Sequence, residues 1–173
     1  SGQTLGRMIA SLRKERGMTQ LELAERMLTT MEQLPRWNGH FYNWYHTCTL
    51  RPMPPLYVST VDSGNCAAAL LTAANALRGW GRDELAARAQ ILCDGMDFGP
   101  LYDPQRRLMR IGIDTGSGKW SESFYDLLAS EARLTSYFAV ARGDVPREHW
   151  RALSRAQVQK DHYRGCVSWS GSM

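Results

Sequence analysis

Apolar residues at Leu5, Met8, Ile9 and Leu12 recur at i, i+3, i+4 and i+7, the stripe of an amphipathic helix. Gly17 fits its C-terminal stop, and Thr19-x-x-Glu22 makes a capping box that opens a second short helix through Met27. Residues 28–34 add at most two turns before Pro35. From Trp37 the chain turns aromatic, proline-rich and irregular. His40-Phe41-Tyr42-Asn43-Trp44-Tyr45 reads as extended, and Pro52, Pro54 and Pro55 forbid a helix beyond it. Residues 56–61 predict a short strand or extended loop. Asp62 or Ser63 then caps an alanine-rich helix over about 65–77, closed by Gly79. A further helix covers 83–93 and ends at Gly95. Residues 108–113, the turn Thr115-Gly116-Ser117-Gly118 and Lys119-Trp120 predict a β-hairpin. The longest helix is expected over about 123–142, with Gly143 after it. Asp144 and Pro146 start another, through about Arg155.

The 173 residues amount to about one domain's length. With 43% hydrophobic and 22% charged residues, wholesale disorder is excluded. No apolar stretch approaches the ~18–20 residues of a membrane span, and Gln3, Arg7, Arg13, Lys14 and Arg16 interrupt any apolar signal core. A soluble, cytoplasmic chain is the expectation. The net charge of +4 is too weak to announce nucleic acid, although residues 1–27 carry five basic against three acidic side chains. Cys48, Cys66, Cys93 and Cys166 show no C-x-x-C spacing, so reduced thiols and no metal are expected.

The string Leu5-Gly6-Arg7, Leu12-Arg13-Lys14-Glu15-Arg16-Gly17-Met18-Thr19-Gln20 and Leu23-Ala24 resembles the first two helices of Cro/cI-type phage repressors, a helix-turn-helix family. The resemblance implies DNA contacts by Arg13, Lys14 and Arg16. Such a domain next needs a recognition helix in the major groove. Residues 28–34, stopped by Pro35, are too short for one. DNA is therefore not the expected partner.

Three places could hold chemistry. On a helix over 123–142, Phe124, Leu127, Leu128, Leu134 and Phe138 make one apolar stripe with Glu131 inside it. A carboxylate there is desolvated, the condition that keeps a general acid protonated. A structural Glu paired with Arg133 or another arginine accounts for the position as well, and Asp126 falls on a different face. The second place is Ser59-Thr60-Val61-Asp62-Ser63-Gly64-Asn65, whose short polar side chains suit a hydroxyl-rich ligand. Asp62 as a plain N-cap is the alternative. The third is the aromatic set Trp37, Phe41, Tyr42, Trp44 and Tyr45, fit for sugar faces or for an ordinary core.

Five ordered blocks carry a second resemblance. They are Gly39-His40-Phe41-Tyr42-Asn43-Trp44-Tyr45, Tyr57-Val58-Ser59-Thr60-Val61-Asp62-Ser63-Gly64-Asn65, Tyr125-Asp126-Leu127-Leu128-Ala129-Ser130-Glu131-Ala132-Arg133-Leu134, Gly143-Asp144-Val145-Pro146 and Val167-Ser168-Trp169-Ser170-Gly171-Ser172-Met173. Over about residues 28–173 the chain resembles the central glucoamylase-like, transglycosylating domain of bacterial cyclic β-1,2-glucan synthases. That family implies an (α/α)6 barrel, retaining cleavage and transfer of β-1,2-glucan, no metal or cofactor, and a parent enzyme at the bacterial inner membrane. Retention calls for two carboxyl groups about 5 Å apart. Glu131 matches one of them, as nucleophile or as acid/base, and the resemblance implies that the other lies in a block past Met173. Asp62, Asn65, Trp44, Tyr45, Tyr125 and Asp126 are the implied substrate-binding residues. His46 and Cys48 depart from the family's acidic and basic residues, and the segment between Leu77 and Met96 is much shorter than the family's.

The expected fold is mainly α. A partial (α/α)6-barrel-like helical array with a short β-hairpin occupies 28–173, preceded by a helical hairpin over 1–27. The expected function is that of a fragment of a β-1,2-glucan-transferring domain, inactive alone and prone to self-association. A DNA-binding regulator and a non-catalytic glucan-binding remnant are the alternatives.

Overall fold

The computed structural model describes residues 4–168. Its centre is a pair of helices, α3 (Thr60–Gly79) and α4 (Asp83–Asp94), joined by a turn at Trp80–Arg82. Ala67, Leu70, Ala74 and Leu77 of α3 face Ala86, Ala89, Leu92 and Cys93 of α4, all buried. Alanine at the crossing lets the two backbones approach closely, and larger side chains at the ends fill the remaining space. The next segment extends this core with Met96, Phe98 and Leu101, which are fully buried.

Helices α1 (Leu5–Glu15) and α2 (Gln20–Gln33) precede this pair. The capping box forms as expected: Thr19 accepts from the Glu22 amide, and Glu22 accepts from the Thr19 amide at 2.7 Å. However, α2 does not stop at Met27. It runs unbroken to Gln33, and Leu28 enters the main core, because burying that side chain outweighs any break between Met27 and Leu28. The turn that a helix-turn-helix places after its second helix is therefore missing. Ion pairing of Arg88 with Glu32 at 2.8 Å fastens α2 to α4.

Residues Arg36–Trp37 (β1) and His40–Phe41 (β2) form a hairpin through Asn38 and Gly39, both with positive φ. This is the Asn-Gly two-residue turn, a signal present in the sequence but read only as extended chain. The hairpin seats on the end of α4. His40 Nε2 lies 2.7 Å from the Asp97 carbonyl, and the Asp97 amide donates to the Asn38 carbonyl.

Two three-stranded sheets follow. In one, Tyr57–Ser59 (β3) pairs with Gly112–Asp114 (β6), which pairs with Lys119–Trp120 (β7). The β6–β7 hairpin matches the expected one in its turn and at Lys119–Trp120, but the strand expected over 108–113 is divided, residues 108–110 going to the other sheet. In the other, Tyr102–Asp103 (β4), Leu108–Arg110 (β5) and Phe124–Tyr125 (β8) lie side by side.

The β8 strand overturns the long helix expected over 123–142. Met109 pairs with Tyr125 and Arg110 with Phe124, while Leu127 bridges to Ser154, whose carbonyl accepts from the Leu128 amide and whose amide donates to the Asp126 carbonyl. Helix begins only at α5 (Arg133–Arg142), stopped by left-handed Gly143 as predicted. The apolar spacing at 124, 127 and 128 is that of a helix and not the alternation of a half-buried strand. Pairing partners from two other segments overrode that spacing.

A short α6 (Arg147–Ala152) carries His149, fully buried, whose Nδ1–H donates to the Arg107 carbonyl at 3.0 Å while Nε2 accepts from Ser136 Oγ at 2.9 Å. An exposed hairpin of Gln157–Lys160 (β9) and Tyr163–Cys166 (β10) follows. The fold is thus mixed, helices forming the centre and small sheets surrounding it, where a mainly α array was expected. No helix among the described residues is long and apolar enough to cross a membrane.

Candidate functional site

The Asn43 side chain joins three segments. The backbone N–H of Asn43 donates to the Tyr57 carbonyl at 2.9 Å; its side-chain Oδ1 accepts from the Ser59 amide at 3.2 Å; its Nδ2 donates to Asp62 Oδ2 at 3.4 Å. The polar stretch 59–65, expected to lead into a helix capped by Asp62 or Ser63 and beginning at about 65, lies almost wholly within α3, which begins at Thr60. Ser59 is the N-cap, accepting from the Asp62 amide at 3.3 Å. Helix wins here because Ser59 takes the capping role assigned to Asp62 or Ser63. That leaves the Asp62 carboxylate exposed in the first turn, where the helix dipole favours a negative charge.

Between this turn and the aromatic segment lies a cavity of about 320 Å³, lined by Phe41, Tyr42, Asn43, Asp62, Ser63, Cys66 and Met96. Asn43 also borders a shallower depression lined by Trp44, Tyr45, Met53, Pro54 and Pro55. Trp44 is 49% exposed there, a free aromatic face. Tyr45 is more constrained: its hydroxyl donates to the Pro35 carbonyl at 2.7 Å and accepts from the Tyr42 amide at 2.9 Å. Burial pushes this phenol above its ordinary value.

On the other side of the α3 start, buried Tyr125 packs with Val61 and Ala132 and its hydroxyl donates to Glu131 Oε1 at 3.4 Å. Burial raises the Tyr125 phenol strongly, and the Glu131 carboxylate adds to the effect, as more weakly do Tyr57 and Asp62. Tyr57 is itself raised, by burial and then by the Asp62 charge. Asp62, Tyr57, Tyr125 and Glu131 therefore share one electrostatic neighbourhood. Glu131 opens onto a further depression with Ser130, Arg133 and Leu134.

Glu131 itself corrects an expectation. It sits exposed on the turn before α5, because the helix meant to bury it begins two residues later. The desolvation expected of it does not occur. Among the described residues it makes no ion pair with Arg133 either.

The remaining site residues scatter. Asn65 is exposed on α3, outside the lining of both cavities. Asp126 is exposed, and its carbonyl accepts from the Ser154 amide at 2.7 Å. Arg13 turns its guanidinium back to the Met18 carbonyl, closing the α1–α2 turn, with Lys14 and Arg16 exposed nearby. The final block quoted for the glucan-synthase resemblance lies outside the described residues from Trp169 onward. Sequence reasoning missed Tyr57 and Asn43 as members of the site, since neither contact follows from any spacing. No group of three or more His, Cys, Asp or Glu side chains stands close enough to hold a metal ion among the described residues.

No protein-family model matches the chain. It is similar to the cyclic beta-(1,2)-glucan synthase NdvB of Rhizobium meliloti (strain 1021), 26% identical over 276 aligned positions that take in 86% of this chain. The chain is related to that synthase. It spans about 10% of the synthase's length. The alignment is longer than the 173 residues of the chain, so this chain is internally shortened relative to the synthase.

Proposed function

We propose that this chain binds β-1,2-glucan through the groove that runs from Trp44 past Asn43 to Asp62, as a segment of a glucan-transferring domain that has no turnover of its own. The observation that carries the reading is the joint held by Asn43. One side chain sets an exposed aromatic face beside a carboxylate-lined cavity, the pairing of apolar and polar contacts that a pyranose presents. The relationship to a cyclic β-(1,2)-glucan synthase supplies the substrate class.

In this reading Trp44 stacks on a sugar face, with Tyr45 shaping the same depression, and Asp62 accepts sugar hydroxyls. Asn65, Tyr125 and Asp126 support the chain farther along, and Glu131 stands where the family's retaining acid/base or nucleophile would. The helices α3 to α6 would then be the remnant of an (α/α)6 barrel, with α1 and α2 as an added hairpin in front of it. A DNA-binding role for Arg13, Lys14 and Arg16 is disfavoured, because α2 continues straight where a turn and recognition helix are required.

Isothermal titration of the whole chain with linear β-1,2-gluco-oligosaccharides tests the proposal. Binding that weakens at least tenfold in Asp62→Ala and several-fold in Trp44→Ala is the expected result. Equal affinity for an unrelated α-glucan, or no binding at all, overturns it.

A further inference from the structure

Helix α5 carries its polarity inside out. Its buried positions are Thr135, Ser136 and Ala139, and the two hydroxyls bond inward, to the Val61 carbonyl and to His149. Outward on the same helix stand Leu134, 45% exposed, and Tyr137, 61% exposed, with exposed Ala141 one turn further on. Positions 134, 137 and 141 are spaced i, i+3 and i+7 and so share one face. Large apolar side chains outside and hydroxyls inside are the reverse of what closing a core requires, and such a face marks an interaction surface.

Helix α6 completes the surface. Its Trp150 meets Tyr137 edge to face, ring centroids 6.0 Å apart and planes at 69°. The two rings, with Val140, Ala141, Arg147 and Arg151, line an open depression of about 310 Å³. That is the lower end of the range for small-molecule sites, and being open it receives a side chain presented from outside.

Charge defines the partner. From Arg133 to Arg155 the chain has five arginines and two carboxylates, most of its net charge of +4. Arg142 is spent on Asp144 and on the Cys93 and Met96 carbonyls, and Arg155 on the Trp150 and Leu153 carbonyls. Arg147 and Arg151, one turn apart on α6, make no ion pair among the described residues. No carboxylate lines the depression, so nothing within it neutralises them. Tyrosine, tryptophan and arginine together are the residues in which binding hot spots are enriched, and guanidinium groups pair best with carboxylates. Single-stranded nucleic acid also takes aromatic and basic side chains, but it needs a basic groove that tracks several nucleotides. Two arginines on one helical turn do not make one.

We propose that the α5–α6 face is a docking surface for an acidic protein segment. One aromatic side chain of the segment seats against Tyr137 and Trp150, and carboxylates flanking it pair with Arg147 and Arg151. The proposal is independent of glucan binding, since none of these residues lines the cavity or the depression beside Asn43.

Titration of the isotope-labelled whole chain with acetyl-Asp-Glu-Phe-Glu-Asp-amide, followed by NMR, tests it and reads affinities as weak as millimolar. Saturable shifts are expected at the Trp150 indole N–H and at the amides of Tyr137 and Arg151. Arg147→Gln with Arg151→Gln should weaken the peptide at least fivefold, Arg147→Lys with Arg151→Lys should retain most of the affinity, and Tyr137→Ala should cost at least threefold. The arginine variants should keep their melting temperature, because neither guanidinium holds an ion pair within the protein. Raising the salt concentration tenfold should weaken binding several-fold. No saturable shift, shifts that map away from α5 and α6, or equal binding of the same peptide with lysine at every acidic position overturns the proposal. So does tighter binding of a single-stranded oligothymidylate at these residues, which would make the face a nucleic-acid surface. Self-association that disappears in Tyr137→Ala would make the occupant a second copy of this chain, and it overturns the acidic segment as well.

Discussion

Tyr125 and Glu131 meet hydroxyl to carboxylate at 3.4 Å across the turn that separates β8 from α5. One is buried and the other exposed, so the contact holds the carboxylate at the surface and does not draw it inward. A retaining glycosidic transfer needs a protonated acid and a nucleophile on opposite sides of the bond, about 5 Å apart. Among the described residues the hydrogen-bond partner of the Glu131 carboxylate is the Tyr125 hydroxyl and not a second carboxyl group. The purified chain is therefore expected to show no transglycosylation or hydrolysis of linear β-1,2-glucan when products are resolved by chromatography. Turnover that vanishes in Glu131→Gln would sink this expectation and place a second working carboxylate nearby.

The β1–β2 hairpin supplies a stability test. Gly39 has φ +81°, and a Cβ built on it would run into the Gly95 carbonyl at the end of α4. Gly39→Ala meets both a strained backbone and a clash with main-chain atoms that cannot swing aside. A loss of about 2 kcal/mol or more is expected by chemical denaturation. Gly118, also at positive φ but with open space around it, should lose less when changed to Ala. Equal losses at the two sites would mean that the hairpin does not seat on α4.

Local signals carried their elements wherever a residue acts on its own neighbourhood. The Thr19–Glu22 box, Gly143 and the Asp83 helix start are where the sequence places them, because capping and left-handed turns are decided within a few residues. The failures share one cause. Phe124, Leu127 and Leu128 left the helix through partners at Met109, Arg110 and Ser154, which no window around residue 125 contains. Ser59, not Asp62, caps α3 because β3 ends there, paired with Gly112 of β6. The same holds for the site. Asp62 was legible as a polar residue at a helix start; its link to Asn43, nineteen residues earlier, was not.

Two buried histidines set an acid limit on stability. Burial holds His40 below its ordinary value, the Asp97 carbonyl opposing; burial holds His149 down likewise, the Arg107 carbonyl opposing. Arg142 also lowers His40, while the Asp97 and Asp144 charges raise it. In each case the unfolded state binds a proton that the folded state resists. Their contribution is complete above the unfolded value of about 6.5 and is lost as pH falls through the folded values. Melting temperature should thus drop between about pH 7 and 5, and His149→Gln should flatten that drop while lowering stability at pH 7. A melting temperature constant over this window would contradict the burial of both rings.

Self-association is the last expectation, and α1 is its source. Met8, Ile9 and Leu12 lie on one face of this helix and are 46%, 45% and 46% exposed. Met27 on α2 is exposed as well. Three large apolar side chains on one amphipathic face make a patch of the kind that drives association. The charges of α1 do not prevent this: Arg7 and Lys14 fall on the far side of the helical wheel, and Arg13 is occupied with the Met18 carbonyl. Size-exclusion chromatography with light scattering should find oligomers at micromolar concentration. Changing Met8 and Leu12 together to Gln should shift the population towards monomer without altering glucan binding, since α1 contributes no residue to the Asn43 groove. A sharp monomer peak from the unaltered chain, with cooperative unfolding, would show that this face stays solvated on its own.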